Sequence, residues 1–204
     1  MTDDQVNILI GAGIGFFTSI LTTYLFSVFS NEKRSRVLMS SIRGEISCLW
    51  DRYYNSVGND LEKLKNSKKT ELMSEFYASR DYFSIYDSVA HELPIIKDKD
   101  SISKIIRVYT EMRGHLDSWA QYNSLFLRWQ ENIKNSYTSE QNDLSRVYFQ
   151  GVDRNLVDVL NLYKNDVLFK ELTQIKGDIN ELKDSLDKKL EENFFFAVLC
   201  RPFK

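Results

Sequence analysis

The chain has 204 residues, with 27 Lys+Arg against 29 Asp+Glu and a formal net charge of -2, a size that fits one domain or one domain with an anchor. The near-neutral balance argues against a general nucleic-acid binder, which carries a basic surplus, and 43% hydrophobic with 27% charged residues excludes a disordered polyampholyte. Eight Gly and 2 Pro are too few turn-makers for a sandwich, a barrel or repeated βαβ units, and two Cys, Cys48 and Cys200, make no disulfide framework; the expected fold class is all-α.

No residue from Gln5 to Asn31 is charged, and Val6 to Ser30 reads VNILIGAGIGFFTSILTTYLFSVFS. As a helix that run extends roughly 37 Å, enough to cross a ~30 Å hydrocarbon core with some tilt. A signal peptide would begin with basic residues and end at a small-residue cleavage site. Here the N-flank is acidic (Asp3, Asp4), and Glu32, Lys33, Arg34 and Arg36 follow the run. Residues 1–30 therefore read as an N-terminal tail and a retained transmembrane helix. With Lys33, Arg34, Arg36 and Arg43 just after the span and no Lys or Arg before it, the N-terminus is expected outside and residues 31–204 in the cytoplasm.

Small residues recur every fourth position along the span, at Gly11, Gly15, Ser19, Thr23 and Ser27, and Thr18 and Thr22 widen that side. Small side chains let helix backbones approach closely in lipid, where no hydrophobic effect draws helices together. One span per chain leaves another molecule as the source of a partner, so the stripe predicts a homo-oligomer in the lipid bilayer. Its hydroxyls have two readings: they line a pore, or they bond their own helix. Gly11-Ala12-Gly13-Ile14-Gly15 is not a dinucleotide fingerprint, because it follows no strand and lacks the last glycine.

Leu38, Ile42, Ile46, Leu49 and Tyr53 keep helical spacing beyond the span. Gly58 to Lys69 reads as a connector with a short helical piece near Leu61 and Leu64, its lysines forming a solvated face. Helices are expected over 70–79 and 81–92. Pro94 interrupts the pattern, and Asp100 or Ser101 offers an N-cap for a helix over 101–137 carrying Ile105, Tyr109, Met112, Leu116, Trp119, Phe126 and Trp129. Thr138-Ser139-Glu140-Gln141 has the form of a capping box for a last helix of about fifty residues. Within it, 168–190 carries a heptad seam: Leu168, Leu172, Ile175, Ile179, Leu182, Leu186. The expected architecture is a transmembrane helix extending into a cytoplasmic bundle of long antiparallel helices over 31–204. The apolar C-terminal tail, 194–204, opens Phe194-Phe195-Phe196-Ala197-Val198-Leu199-Cys200 before Arg201. It has two readings, entry into the membrane interface or filling of a groove in the bundle or between subunits.

Chemistry is thinly signalled. The two histidines, His91 and His115, and two isolated cysteines do not offer metal-ligand spacing, and there is no phosphate-binding loop. No metal, no cofactor and no catalytic residue are expected. HEPN-type ribonucleases, which are small helical bundles, carry Arg, four to six residues, then His. Here Arg107 stands seven residues clear of His115, Arg80 ten clear of His91, and Arg113 two before His115. A site of that kind would draw on Arg107, Arg113 and His115.

The segments Phe83-Ser84-Ile85-Tyr86-Asp87-Ser88 and Ile105-Ile106-Arg107-Val108-Tyr109, set in this single-span layout, resemble those of small bacterial inner-membrane proteins of phage-defence loci. The architecture is similar to the membrane accessory protein of type VI-B CRISPR systems. That resemblance implies a divergent HEPN-like bundle, assembly into a membrane pore, and a partner encoded in a neighbouring defence system. The leading expectation is a non-enzymatic, oligomeric inner-membrane effector acting by pore formation or membrane perturbation. A membrane-tethered HEPN-like ribonuclease and a membrane scaffold or sensor recruiting a cytosolic partner are the alternatives.

Overall fold

The computed structural model describes residues 3–66, 72–78, 80–138 and 154–192. Among them every regular element is helical and no strand occurs. Helix α1 covers Asp3–Tyr53 and passes through a π turn, Tyr54–Gly58, directly into α2, Asn59–Asn66. Residues 72–78 are non-helical, and a 3-10 turn (Arg80–Phe83), α3 (Ser84–Val89) and a second 3-10 turn (Ala90–Ile95) follow. Helix α4 covers Lys99–Thr138. Helix α5 (154–163) joins α6, Phe169–Glu191, through another π turn, Lys164–Leu168.

Two expected features are corrected. Gly58 does not break the chain: φ and ψ remain helical through Asn59. The glycine is there for closeness, since a Cβ would stand 3.1 Å from Tyr54 Cδ2 and 3.2 Å from Tyr53 Cε1. The helix predicted over 70–79 is absent from 72–78. Its backbone is captured instead by α4 side chains. Met73 N–H donates to Tyr122 Oη at 2.9 Å while Tyr122 O–H donates to Met73 O, and the Asn123 amide holds both the N–H and the C=O of Phe76. These bonds satisfy backbone groups that a helix would otherwise pair internally.

The π turns follow from the spacing of the buried residues. Leu49, Tyr53, Val57 and Leu61 on one side, and Leu160, Lys164, Leu168 and Leu172 on the other, include successive steps of four. At 3.6 residues per turn each such step rotates the face by about 40°. Widening one turn absorbs the excess and keeps these residues buried.

Long-range pairs give the helix directions. Arg43 meets Asp187 and Lys176 meets Glu62, so α6 runs antiparallel to α1 and α2. Lys104 meets Glu181, and His115 meets Glu171, so α6 is also antiparallel to α4. Tyr109 meets Glu45 and His115 meets Tyr53, so α1 and α4 run parallel. Between them, the described segments 72–78 and 80–98 hold no long antiparallel helix. Helix α4 also starts earlier than the expected cap: Asp98, which accepts from Ser101 Oγ at 2.7 Å, stands just before it.

Two cores fill the packed portion. One joins Leu38, Ile42 and Ile46 of α1 to Phe83, Ile105, Tyr109, Ile179 and Leu186. The other joins Tyr53, Val57 and Leu61 to Met73, Trp119, Tyr122, Leu160 and Leu172. All six heptad-seam residues are buried in these cores, so the seam is used within the chain. The proposed capping box at Thr138–Gln141 and the tail 194–204 lie outside the described residues, apart from Thr138 at the end of α4.

The N-terminal part of α1 stands apart from both cores. It is the chain's one helix, among the described residues, that is long and apolar enough to cross a membrane, and none of its apolar window is buried. Ile14, Phe16, Phe17, Leu21 and Phe26 are more than half exposed.

Candidate functional site

Where the two cores meet, α1, α4 and α6 bring together a polar cluster. Tyr53 O–H donates to His115 Nε2 at 2.5 Å, and His115 Nδ1–H donates to Glu171 Oε2 at 2.8 Å. This tautomer is assigned from the acceptor at Nδ1. Ser118 O–H donates to Glu171 Oε1 at 2.9 Å, and the Trp119 indole N–H lies 3.2 Å from both Tyr53 Oη and His115 Nε2. Helical spacing explains the α4 contribution, because His115, Ser118 and Trp119 share a face at i, i+3 and i+4.

A carboxylate–imidazole–hydroxyl chain has the connectivity of a nucleophile with its base and orienter. Access decides what this one does. Tyr53 is 4% exposed and His115 3%, and the Tyr53 ring is edge-on to Phe76 and His115. Burial pushes the phenol well above its ordinary pKa, so the oxygen is held as a neutral donor. The arrangement ties three helices through satisfied buried polar groups.

Glu171 brings the cluster to the surface, its side chain 35% exposed. It borders a groove of about 240 Å³ lined by Glu111, Gly114, His115, Glu171, Gln174 and Ile175. Glu111 Oε1 accepts from Gln174 Nε2 at 2.8 Å, whereas its Oε2 is buried without a hydrogen-bond partner. Burial and the neighbouring Asp178 carboxyl raise the Glu111 pKa. No group of three His, Cys, Asp or Glu suited to a metal ion occurs among the described residues.

The three HEPN-type candidates point to different elements. Arg107 reaches α6, at 2.7 Å from Asp178 and 3.2 Å from Glu181. Arg113 turns to α3, pairing with Asp87 and lying over the Phe83 and Tyr86 rings. His115 faces the interior. The structure therefore does not bring these three side chains together.

The small residues in the N-terminal half of α1 lie on an unobstructed helix surface. Gly11, Gly15, Thr18, Ser19, Thr22, Thr23 and Ser27 are all exposed, and a Cβ on Gly11 or Gly15 would meet nothing within 4 Å. Thr18 donates to Ile14 O, Thr22 to Thr18 O and Thr23 to Ser19 O, at 2.8 to 2.9 Å. These three hydroxyls thus bond their own helix. Spacing by four also winds the stripe, at about 40° per step, so that it follows an i+4 ridge.

Sequence reasoning missed Tyr53, Glu171 and Ser118 as partners of His115, and missed Glu45. The buried Glu45 carboxylate accepts from the N–H groups of Ile85 and Tyr86 at 2.7 and 2.9 Å, and so caps α3 from another helix. A lone acid among the apolar positions of α1 was the available signal. No protein-family model matches the chain, no curated protein matches it in sequence, and no solved structure matches its fold.

Proposed function

We propose that this chain is a single-pass bacterial inner-membrane protein, N-terminus outside, that works by assembling with copies of itself and perturbing the bilayer. The observation that carries this reading is the unburied apolar part of α1, continuous with a helix packed into both cores. A bare apolar helix of that length finds its partners in lipid. Its small residues then allow close approach to a second copy. An i+4 ridge favours a right-handed crossing near −40 to −50°. Because Thr18, Thr22 and Thr23 are satisfied within the helix, close packing accounts for the stripe without a hydroxyl-lined pore. The similarity to phage-defence membrane proteins suggests infection as the setting.

The experiment is expression of the full chain with membrane potential followed by a voltage-sensitive dye, alongside crosslinking in membranes. Depolarisation together with crosslinked oligomers is expected, and Gly15→Leu should weaken both by separating the backbones. Unchanged polarisation with and without phage infection, or a strictly monomeric detergent-solubilised protein, overturns the proposal.

A second reading, a scaffold that recruits a cytosolic partner, is favoured by one observation. A groove of about 820 Å³ between 76–78 and α4 is lined by Phe76, Tyr77, Trp119, Asn123, Leu127 and Arg128 among others. Tyr77 and Leu127 are 67% and 47% exposed. A co-purifying protein lost on Leu127→Arg, with permeability unaffected, selects this reading over the first.

A further inference from the structure

A reversal of the chain points at the apolar half of α1. Glu45 on α1 accepts from the N–H groups of Ile85 and Tyr86, and Arg34, nearer the apolar half, pairs with Glu92 at 2.7 Å. The path from α3 through Ala90–Ile95 therefore runs antiparallel to α1 and towards that half. Helix α4 then leaves in the opposite direction, parallel to α1. The tip of the reversal is 93–99.

Packing holds this tip in place. Leu93 and Ile96 are buried in the same core as Leu38 and Met39, and Ile96 N–H donates to Leu93 O at 2.9 Å. Pro94 stays exposed and Ile95 half-buried, followed by exposed Lys97 and Lys99. Charge at this end of the bundle is uneven. Arg34 takes Glu92, Arg36 takes Glu32 and Lys104 takes Asp100, while Asp98 accepts from Ser101 and lies 3.8 Å from Lys189. Exposed Lys188 and Glu191, near the end of α6, offset each other. Lys33, Lys97 and Lys99 are exposed and make no ion pair among the described residues, so a basic surplus remains around the tip.

We infer that the 93–99 turn is a second membrane contact, with Pro94 and Ile95 at the lipid surface and Lys33, Lys97 and Lys99 against anionic headgroups. The inference rests on reading α1 as a membrane span, and the height follows from that reading. Arg34, level with Glu92, stands four residues beyond Ser30, where the apolar stretch ends, a rise of roughly 6 Å. The headgroup layer on each side of a bilayer is about 5–7 Å thick. Lysines at that level extend their stems over the interface and keep their ammonium groups among the lipid anions.

The test uses the full-length Cys48→Ser, Cys200→Ser, Pro94→Cys protein, labelled at position 94 with an environment-sensitive fluorophore. It is placed in phosphatidylethanolamine/phosphatidylglycerol vesicles carrying nitroxide lipids. Quenching by a headgroup nitroxide should exceed that by 12-doxyl lipid by at least about two-fold, as for an interfacial position. Lys97→Gln with Lys99→Gln, or phosphatidylcholine vesicles, should lower the ratio of quenched to unquenched label roughly ten-fold, since each lysine contributes separately at an anionic surface. A label at 94 unquenched by either lipid, or quenched regardless of these charges, overturns the inference. A label at Lys63→Cys, on α2 and roughly 50 Å along the helix from Ser30, should stay unquenched. Equal quenching at 63 and 94 means a bundle lying flat, which also overturns it. A label at Ser19→Cys separates the two readings. If position 19 is quenched by 12-doxyl lipid and position 94 by neither lipid, the surface contact fails and the span stands. If neither position is quenched, both fail.

Discussion

The Tyr109 hydroxyl on α4 donates to the Glu45 carboxylate on α1 at 2.5 Å, and that same carboxylate accepts from the N–H groups of Ile85 and Tyr86 in the first turn of α3. One buried acid thus joins three elements. Burial, with Glu45 as its acceptor, holds the Tyr109 phenol far above its ordinary pKa. Glu45→Gln puts an amide N–H₂ against at least one of the three donors that the two carboxylate oxygens now accept, and should cost about 1.5–3 kcal/mol, the range for hydrogen bonds to a charged group. Tyr109→Phe removes one neutral donor and should cost about 1 kcal/mol. Thermal melts of both variants in one detergent check the order; equal losses would refute the capping role.

His115→Ala leaves the Tyr53 hydroxyl and the Trp119 indole without their shared acceptor and should cost about 2–3 kcal/mol. Tyr53→Phe alone should cost less. In the double variant the losses should fall short of additive by 0.5 kcal/mol or more, as for residues in one network (about 0.5–3 kcal/mol). Additive losses in denaturant melts would show that the 2.5 Å contact carries no coupling.

Glu111 titrates above its ordinary range, so the folded protein binds its proton more tightly than the unfolded chain does. At pH 7, well above the unfolded pKa, that preference is a penalty. It fades as pH falls through the folded pKa towards the unfolded one. Glu111→Gln should raise stability at pH 7 by about 1 kcal/mol, a gain that shrinks towards pH 4. Melting temperatures at pH 7, 5.5 and 4 test this, and a gain independent of pH would assign it to something other than ionisation.

Glycine positions should divide by sign. Gly44 and Gly177 sit on open helix surface with nothing near a new Cβ, so Ala there should stabilise by about 0.5–1 kcal/mol through helix propensity. Gly58→Ala gains the same propensity but meets the Tyr53 and Tyr54 rings at 3.2 and 3.1 Å. Its net effect should be a loss of about 1 kcal/mol, since overpacking costs ~1–3 kcal/mol. Parallel denaturant titrations of the three variants decide; a stabilising Gly58→Ala would mean that the rings yield freely.

Much of the fold was legible because long helices write their contacts into local spacing. On α4, Ile105, Tyr109, Met112 and Trp119 are buried while Leu116, Phe126 and Trp129 are partly buried against the cores, and the heptad seam of Leu168–Leu186 is buried throughout. Successive steps of four around Val57 and Leu168 coincide with the π turns, the first of which ends at Gly58, where the expected connector begins. What was illegible depends on distant partners. Leu72, Met73 and Phe76 keep helix-like spacing, yet side chains 49 and 47 residues away take the backbone of Met73 and Phe76. The site suffered likewise: Glu111 and His115 are neighbours on one helix, whereas Tyr53 and Glu171 reach His115 across 62 and 56 residues.

The unbroken run of helix from the apolar end of α1 through the π turn to Asn66 has a mechanical consequence. A hydrogen-bonded helix offers no swivel, so a twist applied at Gly15 reaches Tyr53 as a twist. There it meets a 2.5 Å bond to His115 that tolerates little rotation. The apolar end of α1 and the interior latch at Tyr53 therefore turn like the bow and bit of one key.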